Sequence, residues 1–436
     1  MRTAIVWFRR DLRLDDNPVL AAAVASGARI VCVATADPNV ELVPPLPWAK
    51  LGFWIEGLWD LGRRLEDAGG GLVVLSGAEE IAALAAELSA EAVYTHGDWQ
   101  PDEAARLDDL EARLTAERRV LHRVSQVSIL APEDVRTVEG TAPRTYSSWL
   151  RIADGVLSAG DHAPTTVAIA GALAPPPRAA ELPTMEAIGA REVRRDQQGG
   201  ETAGLARLRA YRDFGGLASY AARRNALDDD FASSRLSPYI ELGMVSRRRV
   251  LAVATADGHR KFRQELLWRD FMDHALHEHP DMQVQPIDER YTRLEWPGDD
   301  GAFAAWCAGE TGFGLVDAGM RELVGTGYLP NRVRMVAASC LVKTLHVDWH
   351  RGERFFREYL IDGSWSVNAG NWQWVTGCGL DAAPFFRIMN PVLQARKFDP
   401  DGVYQDRWAP DRPSTPIVDH LVERKRTLAL YRAALG

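Results

Sequence analysis

The sequence predicts a doubly wound parallel α/β domain followed by a larger all-helical domain. Over residues 1–130, short apolar runs alternate with helical patterns, whereas beyond about residue 205 helical periodicity dominates. Alternating strands and helices are typical of a parallel sheet that is covered by helices on both faces. The chain has 436 residues, which is too long for one ordinary domain and suits two.

Four apolar runs in the first part predict the strands. They are AIVWF, IVCVA, LVVL and AVY at residues 4–8, 30–34, 72–75 and 92–94. The runs are short and continuous rather than alternating, as expected of strands that are buried on both faces. Helical patterns follow them at residues 18–26, 50–68, 79–88 and 102–118.

The turn after the first strand has the sequence RRDLRLDDN and holds no G-x-G-x-x-G. A dinucleotide bound in the usual Rossmann manner is therefore not indicated.

Two Pro- and Gly-rich stretches, APPPR and QQGGETAG, lie at residues 174–178 and 197–204 and are typical of a surface linker. Helical patterns then cover residues 261–279, 331–347 and 353–360. We therefore predict a sheet domain over 1–130, a linker over 131–204 and a helical domain over 205–436.

Composition narrows the classes of function. A net charge of −9 argues against a protein that coats nucleic acid by bulk electrostatics. No apolar run reaches the roughly 18 residues of a membrane span, and no secretory signal pattern opens the chain. The four cysteines show no C-x-x-C pairing, so neither disulfides nor a zinc site are indicated. We expect a cytoplasmic protein without membrane association.

Two stretches of the helical part are open to both a functional and a structural interpretation. SSRLSP at 233–238 places three hydroxyls before a proline at a helix start, which suits an anion such as pyrophosphate or a simple N-cap by Ser237. In ELLWRD, Glu265 and Trp268 share a helix face. A carboxylate beside an indole suits a planar heterocycle, but an ion pair of Glu265 with Arg269 beside a core Trp is equally compatible.

Two further stretches point more clearly to a site. In NRVRM, Asn331 and Met335 share a helix face, and an inward Arg334 needs an anionic partner, for which Asp362 is a candidate. DGSWSVNAGNWQW at 362–374 combines Trp, Asn, Gln and Gly in a way that core packing does not require. Because Asn and Gly disfavour helix interiors, we predict a loop there that leads into a helix, and we favour a functional role.

Together and in this order, these stretches resemble the DNA photolyase/cryptochrome family, and within it the class I photolyases that act on cyclobutane pyrimidine dimers. The matching strings span nearly the whole chain, from IVWFRRDLRLDDN through RLSPYIELGMVS, ELLWRDF, TGFGLVDAGMRELVGTGYLPNRVRM, DWHRGERFF, NWQW and DAAPFFRIMNP. The resemblance implies an N-terminal antenna domain, a linker and a helical domain that holds FAD.

The resemblance also assigns roles to individual positions. Matching the family's FAD contacts are Tyr220, Ser233, Ser234, Arg235, Leu236, Ser237, Arg269, Arg334, Asp362, Gly363, Ser364 and Asn368. Matching its lesion pocket are Glu265, Trp268, Asn331, Met335 and Trp374. Matching its DNA-backbone contacts are Arg224, Arg332 and Arg387. Matching the indole relay that photoreduces the flavin are Trp372, Trp349 and Trp296.

These positions imply light-driven repair of cyclobutane pyrimidine dimers, by electron transfer from excited reduced FAD to a flipped-out lesion. Glu265 would steady the lesion, Asn368 would face flavin N5, and no metal would take part. The expected partner is UV-damaged DNA, and we expect a monomer. Asn331 and Met335 stand where (6-4) photolyases would place a histidine, which favours the cyclobutane substrate.

Two departures from the family pattern stand out. Ser364 replaces a second acid that usually follows Asp362, so we expect a rearranged polar contact to the flavin edge. In the folate-binding subgroup of the family, a carboxylate of the antenna domain pairs with a lysine near the HP motif. Glu103 could supply the acid, but HPDMQ at 279–283 offers no lysine. The second chromophore therefore remains open between a folate, a deazaflavin, another flavin and none.

Two other functions are compatible with parts of the sequence. A cryptochrome-like blue-light photoreceptor would photoreduce FAD without repairing DNA, and the complete set of lesion-pocket residues argues against it. A plain nucleotide-binding module would explain residues 1–130 but not the stretches of the helical part.

Overall fold

The structure is a computed structural model that describes residues 2–36, 48–125, 128–160, 162–178, 182–184, 186, 197–256 and 258–435. The chain divides into two compact units. The first comprises Met1–Val135, Ala153–Asp213 and Arg235–Leu266; the second comprises Arg136–Ile152, Phe214–Ser234 and Leu267–Gly436. None of the helices in these described ranges has both the length and the apolar character of a membrane span.

The first unit contains a five-stranded, fully parallel sheet in the order β3-β2-β1-β4-β5, which confirms the predicted fold class. The strands are β1 Thr3–Phe8, β2 Arg29–Thr35, β3 Leu72–Leu75, β4 Ala92–His96 and β5 Val120–Val124. The helices between them are α1 Pro18–Ala25, α2 Trp48–Asp67, α3 Glu79–Glu87 and α4 Pro101–Ala116. The four predicted strands are present, and β5 is a fifth strand that the sequence analysis did not predict. Its sequence VLHRV alternates, and two of its five residues are exposed, as suits the edge of a sheet.

Helices make up most of the remaining chain. They are α5 Tyr146–Ala159, α6 Glu201–Asp213, α7 Gly216–Arg223, α8 Ser237–Glu241, α9 Arg247–Ala256, α10 Arg260–Glu278, α11 Asp300–Ala308, α12 Gly314–Thr326, α13 Asn331–Lys343, α14 Trp349–Tyr359, α15 Trp365–Thr376, α16 Pro391–Phe398, α17 Val403–Trp408 and α18 His420–Leu435. Short 3₁₀ turns lie at Pro132–Asp134 and Glu289–Arg293. The predicted linker stretch thus includes α5, whose apolar positions include the buried Trp149.

Helix α13 contributes a central part of the second unit's core. Val333, Val336, Ala337 and Cys340 have no exposed surface, and their spacing of three, four and seven residues places them on one face. Asn331 and Arg334, which belong to the predicted site, lie off this buried stripe and keep partial or full exposure. The core therefore fixes the orientation of the helix that carries the site residues.

Helix α15 begins earlier than the sequence predicted. Ser364 is its N-cap and accepts a hydrogen bond from the amide of Val367 at 3.0 Å, while Gly377, at φ +105°, ends it. The expected loop over residues 362–374 is therefore wrong for all but its first three residues. The low helix propensity of Asn and Gly is outweighed here by burial, because Asn368, Ala369 and Gly370 are all buried.

Within the first unit, ion pairs join the turn after β1 to α9. Asp16 has no exposed surface and accepts hydrogen bonds from Arg248 at 2.6 and 3.1 Å. Ser246 also donates to it, and so does the amide of Thr165, at 2.7 Å. The neighbouring Asp15 pairs with Arg249 at 2.7 Å.

The substitution Asp16→Asn is expected to lower the free energy of unfolding by roughly 3 kcal/mol, because it leaves the guanidinium of Arg248 without its buried counter-charge. Arg248 keeps partial access to water, which places the loss at the lower end for a broken buried pair. The matched control is Asp109→Asn, since Asp109 and Arg113 form an exposed pair on α4 whose loss should cost about 0.5 kcal/mol or less. Urea unfolding followed by circular dichroism measures both, and equal losses would contradict the role of Asp16.

Candidate functional site

The first turn of α13 presents the residues of the NRVRM stretch as predicted. The side-chain nitrogen Nδ2 of Asn331 lies 3.9 Å from the sulfur of Met335, so the two side chains share one helix face. Arg334 is directed to Asp362, with an ion pair of 3.0 Å, and its Nε also donates to the carbonyl of Leu329 at 2.7 Å. The anionic partner expected for Arg334 is therefore present.

At the N-terminus of α15, Ser364 stands at the position where a second acid was expected, and its hydroxyl caps the helix. Its hydroxyl lies 3.3 Å from that of Ser366, which in turn donates to the carboxylate of Asp273 on α10. Asp273 is 4% exposed, so a buried carboxylate faces this helix end even though position 364 carries none. An anion is favoured there by the partial positive charge of a helix N-terminus.

One turn further along α15, Asn368 is held by α14. Its Nδ2 donates to the backbone carbonyl and to Oε1 of Glu353, at 2.8 and 2.9 Å. Glu353 is itself paired with Nε of Arg357 at 2.9 Å and is 2% exposed. Both contacts use Nδ2, so Oδ1 of this buried amide accepts no hydrogen bond from the described residues.

Glu353 and Arg357 were not among the predicted site residues. Their spacing of four residues on a helix predicts an ion pair, but that pattern is common on surfaces and carries no sign of burial. Nothing in the sequence alone connects them to Asn368, because that contact joins two helices.

The three tryptophans of the predicted relay differ in burial. Trp372 and Trp349 are each 2% exposed, whereas Trp296 is half-buried. The ring of Trp372 packs against Phe356 and Trp306, with ring centroids 5.1 and 6.2 Å apart. All three relay indoles border the same helical core.

Two other tryptophans of the predicted site are half-buried and each has a polar neighbour. The indole NH of Trp268 donates to the side-chain oxygen of Asn371 at 3.2 Å, and Tyr146 packs edge-on against its ring at 5.0 Å. The guanidinium carbon of Arg387 lies 5.5 Å from the ring centroid of Trp374. Neither indole is simply a buried core residue.

The three arginines predicted to contact DNA form one basic cluster. Burial lowers the pKa of Arg332, and the positive charges of Arg224 and Arg387 lower it further, which places both close to it. Arg332 donates to the side-chain oxygen of Asn225 at 3.0 and 3.2 Å and stacks on Phe398, at 4.4 Å from the ring centroid. Like charges are thus gathered at one place, as expected of a surface that binds an anionic ligand.

The remaining predicted cofactor positions fall in both units. In the second unit, Ser234 on this stretch and Arg269 on α10 are both buried at 8% exposure, and Tyr220 on α7 is half-buried. In the first unit, Arg235 has a left-handed backbone at φ +53°, and its carbonyl accepts from Gln197 at 2.7 Å. The predicted N-cap by Ser237 is wrong by one position. Leu236 occupies the cap, without a side-chain bond, and Ser237 is the first helical residue.

Glu265 lies in the first unit on α10, where it forms an ion pair with Lys261 at 2.7 Å. The acid is half-buried.

The carboxyl ends of β1 and β4 carry a second charged cluster in the first unit. Asp98 accepts from Arg10 at 2.6 Å and from Arg9 at 3.2 Å, and although burial opposes its charge, these arginines hold its pKa well below the usual range. Burial, followed by the charge of Arg9, lowers the pKa of His96 to about 4, so its imidazole is neutral at pH 7. Glu103 pairs with Arg9 at 3.3 Å and also with Arg106. The strand order reverses at this point, where doubly wound sheets commonly bind ligands.

Within the described ranges, no group of three or more His, Cys, Asp or Glu residues is arranged to hold a metal ion.

Comparisons with known proteins agree across both units. Residues 4–168 match the family model described as DNA photolyase, and residues 262–426 match the one described as the FAD binding domain of DNA photolyase. The chain is 38% identical to a deoxyribodipyrimidine photo-lyase of Thermus thermophilus, over 99% of both chains.

Solved structures are similar over the full length. A bacterial class III photolyase from Agrobacterium tumefaciens has a TM-score of 0.88 and 32% identity, over 100% of this chain and 98% of its own. An archaeal photolyase from Sulfolobus tokodaii with two FAD molecules has a TM-score of 0.85 and 27% identity, over 99% and 100%.

Proposed function

Because the chain belongs to the DNA photolyase/cryptochrome family and residues 262–426 form its FAD-binding domain, we propose that it repairs cyclobutane pyrimidine dimers in DNA with light. The observation that best supports this proposal is the placement of Arg387 beside the half-buried indole of Trp374, within a cluster that also contains Arg332 and Arg224. An aromatic surface next to clustered guanidinium groups suits a base that is flipped out of the duplex, because the ring can stack on the base while the arginines bind the neighbouring phosphates.

The residues that match the family's lesion pocket have complementary chemistry for a fused pyrimidine pair. In the proposal, Trp268 and Trp374 stack against the two bases, and Asn331 and Met335 contact their remaining edges. Glu265 hydrogen-bonds the carbonyl edge of the dimer and so steadies the charge that develops there. Arg224, Arg332 and Arg387 neutralise the flanking phosphates.

The polar groups around α15 fit FAD. Oδ1 of Asn368 accepts no hydrogen bond from the described residues, and a flavin N5–H is a suitable donor to it. The ion pair of Arg334 with Asp362 and the hydroxyls of Ser233 and Ser234 can hold the polar edge and the pyrophosphate. When bound and reduced, FAD supplies one electron to the dimer after absorbing light and regains it once the ring has opened.

Several residues of this chain act by holding these groups in place. Glu353 fixes Nδ2 of Asn368, so Oδ1 is left to accept a hydrogen bond from the flavin N5–H, and Arg357 holds the carboxylate of Glu353 in place by pairing with it. Asp273 adds a buried negative charge at the start of α15 through Ser366. We propose that this charge partly substitutes for the acid that position 364 lacks.

In the same proposal Trp372, Trp349 and Trp296 carry electrons from the surface to the flavin. Trp372→Phe should slow photoreduction of the flavin strongly, because a benzene ring is much harder to oxidise than an indole, while repair by chemically reduced protein should be unchanged. The matched control is Trp306→Phe, since Trp306 is equally buried and packs against Trp372 at 6.2 Å. Flavin absorbance under blue light measures both, and similar slowing in the two variants would remove the relay assignment.

A repair assay separates the enzyme from a photoreceptor that only photoreduces FAD. The chemically reduced protein is incubated with a dimer-containing oligonucleotide under blue light and in the dark. Loss of dimers in the light alone supports the proposed enzyme. Photoreduction of the flavin without loss of dimers would favour the photoreceptor. An oligonucleotide with a (6-4) lesion, tested in parallel, shows which of the two lesions the protein repairs.

A further inference from the structure

Helix α13 ends in a lysine with no access to water. Lys343 is 0% exposed, and its Nζ donates to the backbone carbonyl of Arg387 at 3.3 Å. The same nitrogen lies 5.7 Å from the ring centroid of Tyr431. Fully buried lysines are rare because desolvating an ammonium is costly unless it is well paired. Among the described residues, the carbonyl of Arg387 is the one hydrogen-bond acceptor of this ammonium, so the burial is not explained by stability.

The carbonyl that Lys343 contacts belongs to the segment of residues 384–390, which we call the arginine loop. Ser339, one helical turn before Lys343, accepts a hydrogen bond from the amide of Met389 at 3.2 Å. The amide of Arg387 closes a turn within the loop by donating to the carbonyl of Pro384 at 2.8 Å. Ser339 and Lys343, which lie on one face of α13, therefore both hydrogen-bond to the main chain of the arginine loop.

The side chain of Arg387 points to the proposed DNA surface. It is exposed, it lies against Trp374, and its charge acts on Arg332. The positive charges of Lys343 and Arg387 repel each other, whereas the carbonyl of Arg387 is attracted to the ammonium. Both effects hold the backbone toward the core and direct the guanidinium away from it.

We propose that Lys343 is a positioning residue for DNA binding, and that its ammonium anchors the arginine loop and thereby fixes the guanidinium of Arg387 beside Trp374. This inference rests on the DNA binding proposed above. It assigns to a buried core residue a function in substrate affinity.

The anchor is sensitive to pH near neutrality. Burial lowers the pKa of Lys343 to about 7, an effect that Cys378 opposes and Arg387 reinforces. A protonated amine makes a charge-assisted bond to a carbonyl, which is stronger than the bond of a neutral amine. The anchor is therefore strong below this pKa and weakens as the pH rises through it. The other titratable or charged groups near Lys343 are Cys378, Arg387 and Tyr431, and those acting on Cys378 also include Asp288 and Asp348.

The test compares the affinity of FAD-loaded protein for a dimer-containing oligonucleotide from about pH 6 to about pH 8.5, in wild type and in three variants. Wild-type affinity should fall about fivefold over this range, the difference between a charge-assisted and a neutral hydrogen bond. Lys343→Met should bind more weakly at low pH and lose this dependence. Ser339→Ala is the matched control, because it removes the neighbouring anchor without a titrating group. It should weaken binding at all pH values and keep the wild-type slope.

A melting measurement shows whether Lys343→Met is folded. The unfolded lysine has a pKa of about 10.4, so the unfolded state binds more protons between about pH 7 and this value. Wild-type stability should therefore rise with pH in this window, and the methionine variant should melt at a higher temperature than wild type at pH 7. FAD content should be the same in both.

The outcomes separate the inference from the proposed function. Arg387→Ala without any loss of affinity would argue against the DNA contact itself. If Arg387→Ala weakens binding but Lys343→Met retains the wild-type affinity and pH slope, the positioning role is wrong. A wild-type affinity that does not change through about pH 7 would overturn the inference without any variant.

Discussion

Replacing Trp374 with alanine is expected to weaken binding of dimer-containing DNA by about tenfold to a hundredfold, while binding of undamaged DNA changes little. Stacking of a base on an aromatic side chain contributes about 1 to 3 kcal/mol, and each 1.4 kcal/mol corresponds to about a factor of ten. Only a flipped-out lesion would reach the half-buried indole, so the loss should be confined to the damaged substrate.

The matched comparison is Arg387→Ala, because the guanidinium of Arg387 lies against the same indole. A lost phosphate contact should weaken damaged and undamaged DNA alike and reduce the slope of log affinity against log salt by about one. Titrations of both oligonucleotides at several salt concentrations distinguish the two patterns. If Trp374→Ala weakens both substrates equally, Trp374 does not contact the lesion.

The second large effect is expected on the cofactor. Arg334→Met should lower the affinity for FAD by a factor of about 100 or more, since the carboxylate of Asp362, whose side chain is 7% exposed, would lose its guanidinium partner. Breaking a buried pair from one side costs about 3 to 5 kcal/mol. Flavin absorbance relative to protein, measured after gel filtration, reports the loss.

Arg332→Met provides the control on the same helix. Arg332 pairs with Asn225 and Phe398 rather than with Asp362. This variant should retain FAD and lose affinity for DNA instead. Loss of FAD from both variants to the same extent would mean that the two arginines do not have separate roles.

The sequence was most informative where one physical rule dominated. Continuous Val- and Ile-rich runs predicted the central strands, because strands buried on both faces need apolar residues at every position. Strand β5 escaped this rule, since an edge strand is partly exposed and its VLHRV sequence alternates. The face shared by Asn331 and Met335 followed from helix geometry alone and is present.

The sequence does not predict contacts between helices. The hydrogen bonds of Asn368 to Glu353, and of Ser366 to Asp273, join residues that are far apart in the sequence, so no periodicity connects them. The Asn and Gly residues of α15 predict a loop, because their low helix propensity is visible in the sequence and their burial is not. The sequence also does not predict the hydrogen bond of Lys343 to Arg387, since a lysine at a helix end usually suggests a solvent-exposed charge.

A crystal structure of the FAD-loaded, reduced protein with a dimer-containing duplex, grown in the dark, tests most directly whether one helical domain holds both the cofactor and the lesion. We expect the dimer outside the duplex between Trp268 and Trp374, its phosphates on Arg332 and Arg387, and FAD in contact with Asn368. A dimer that stays stacked within the duplex, or FAD bound away from Asn368 and Arg334, would contradict the proposed site.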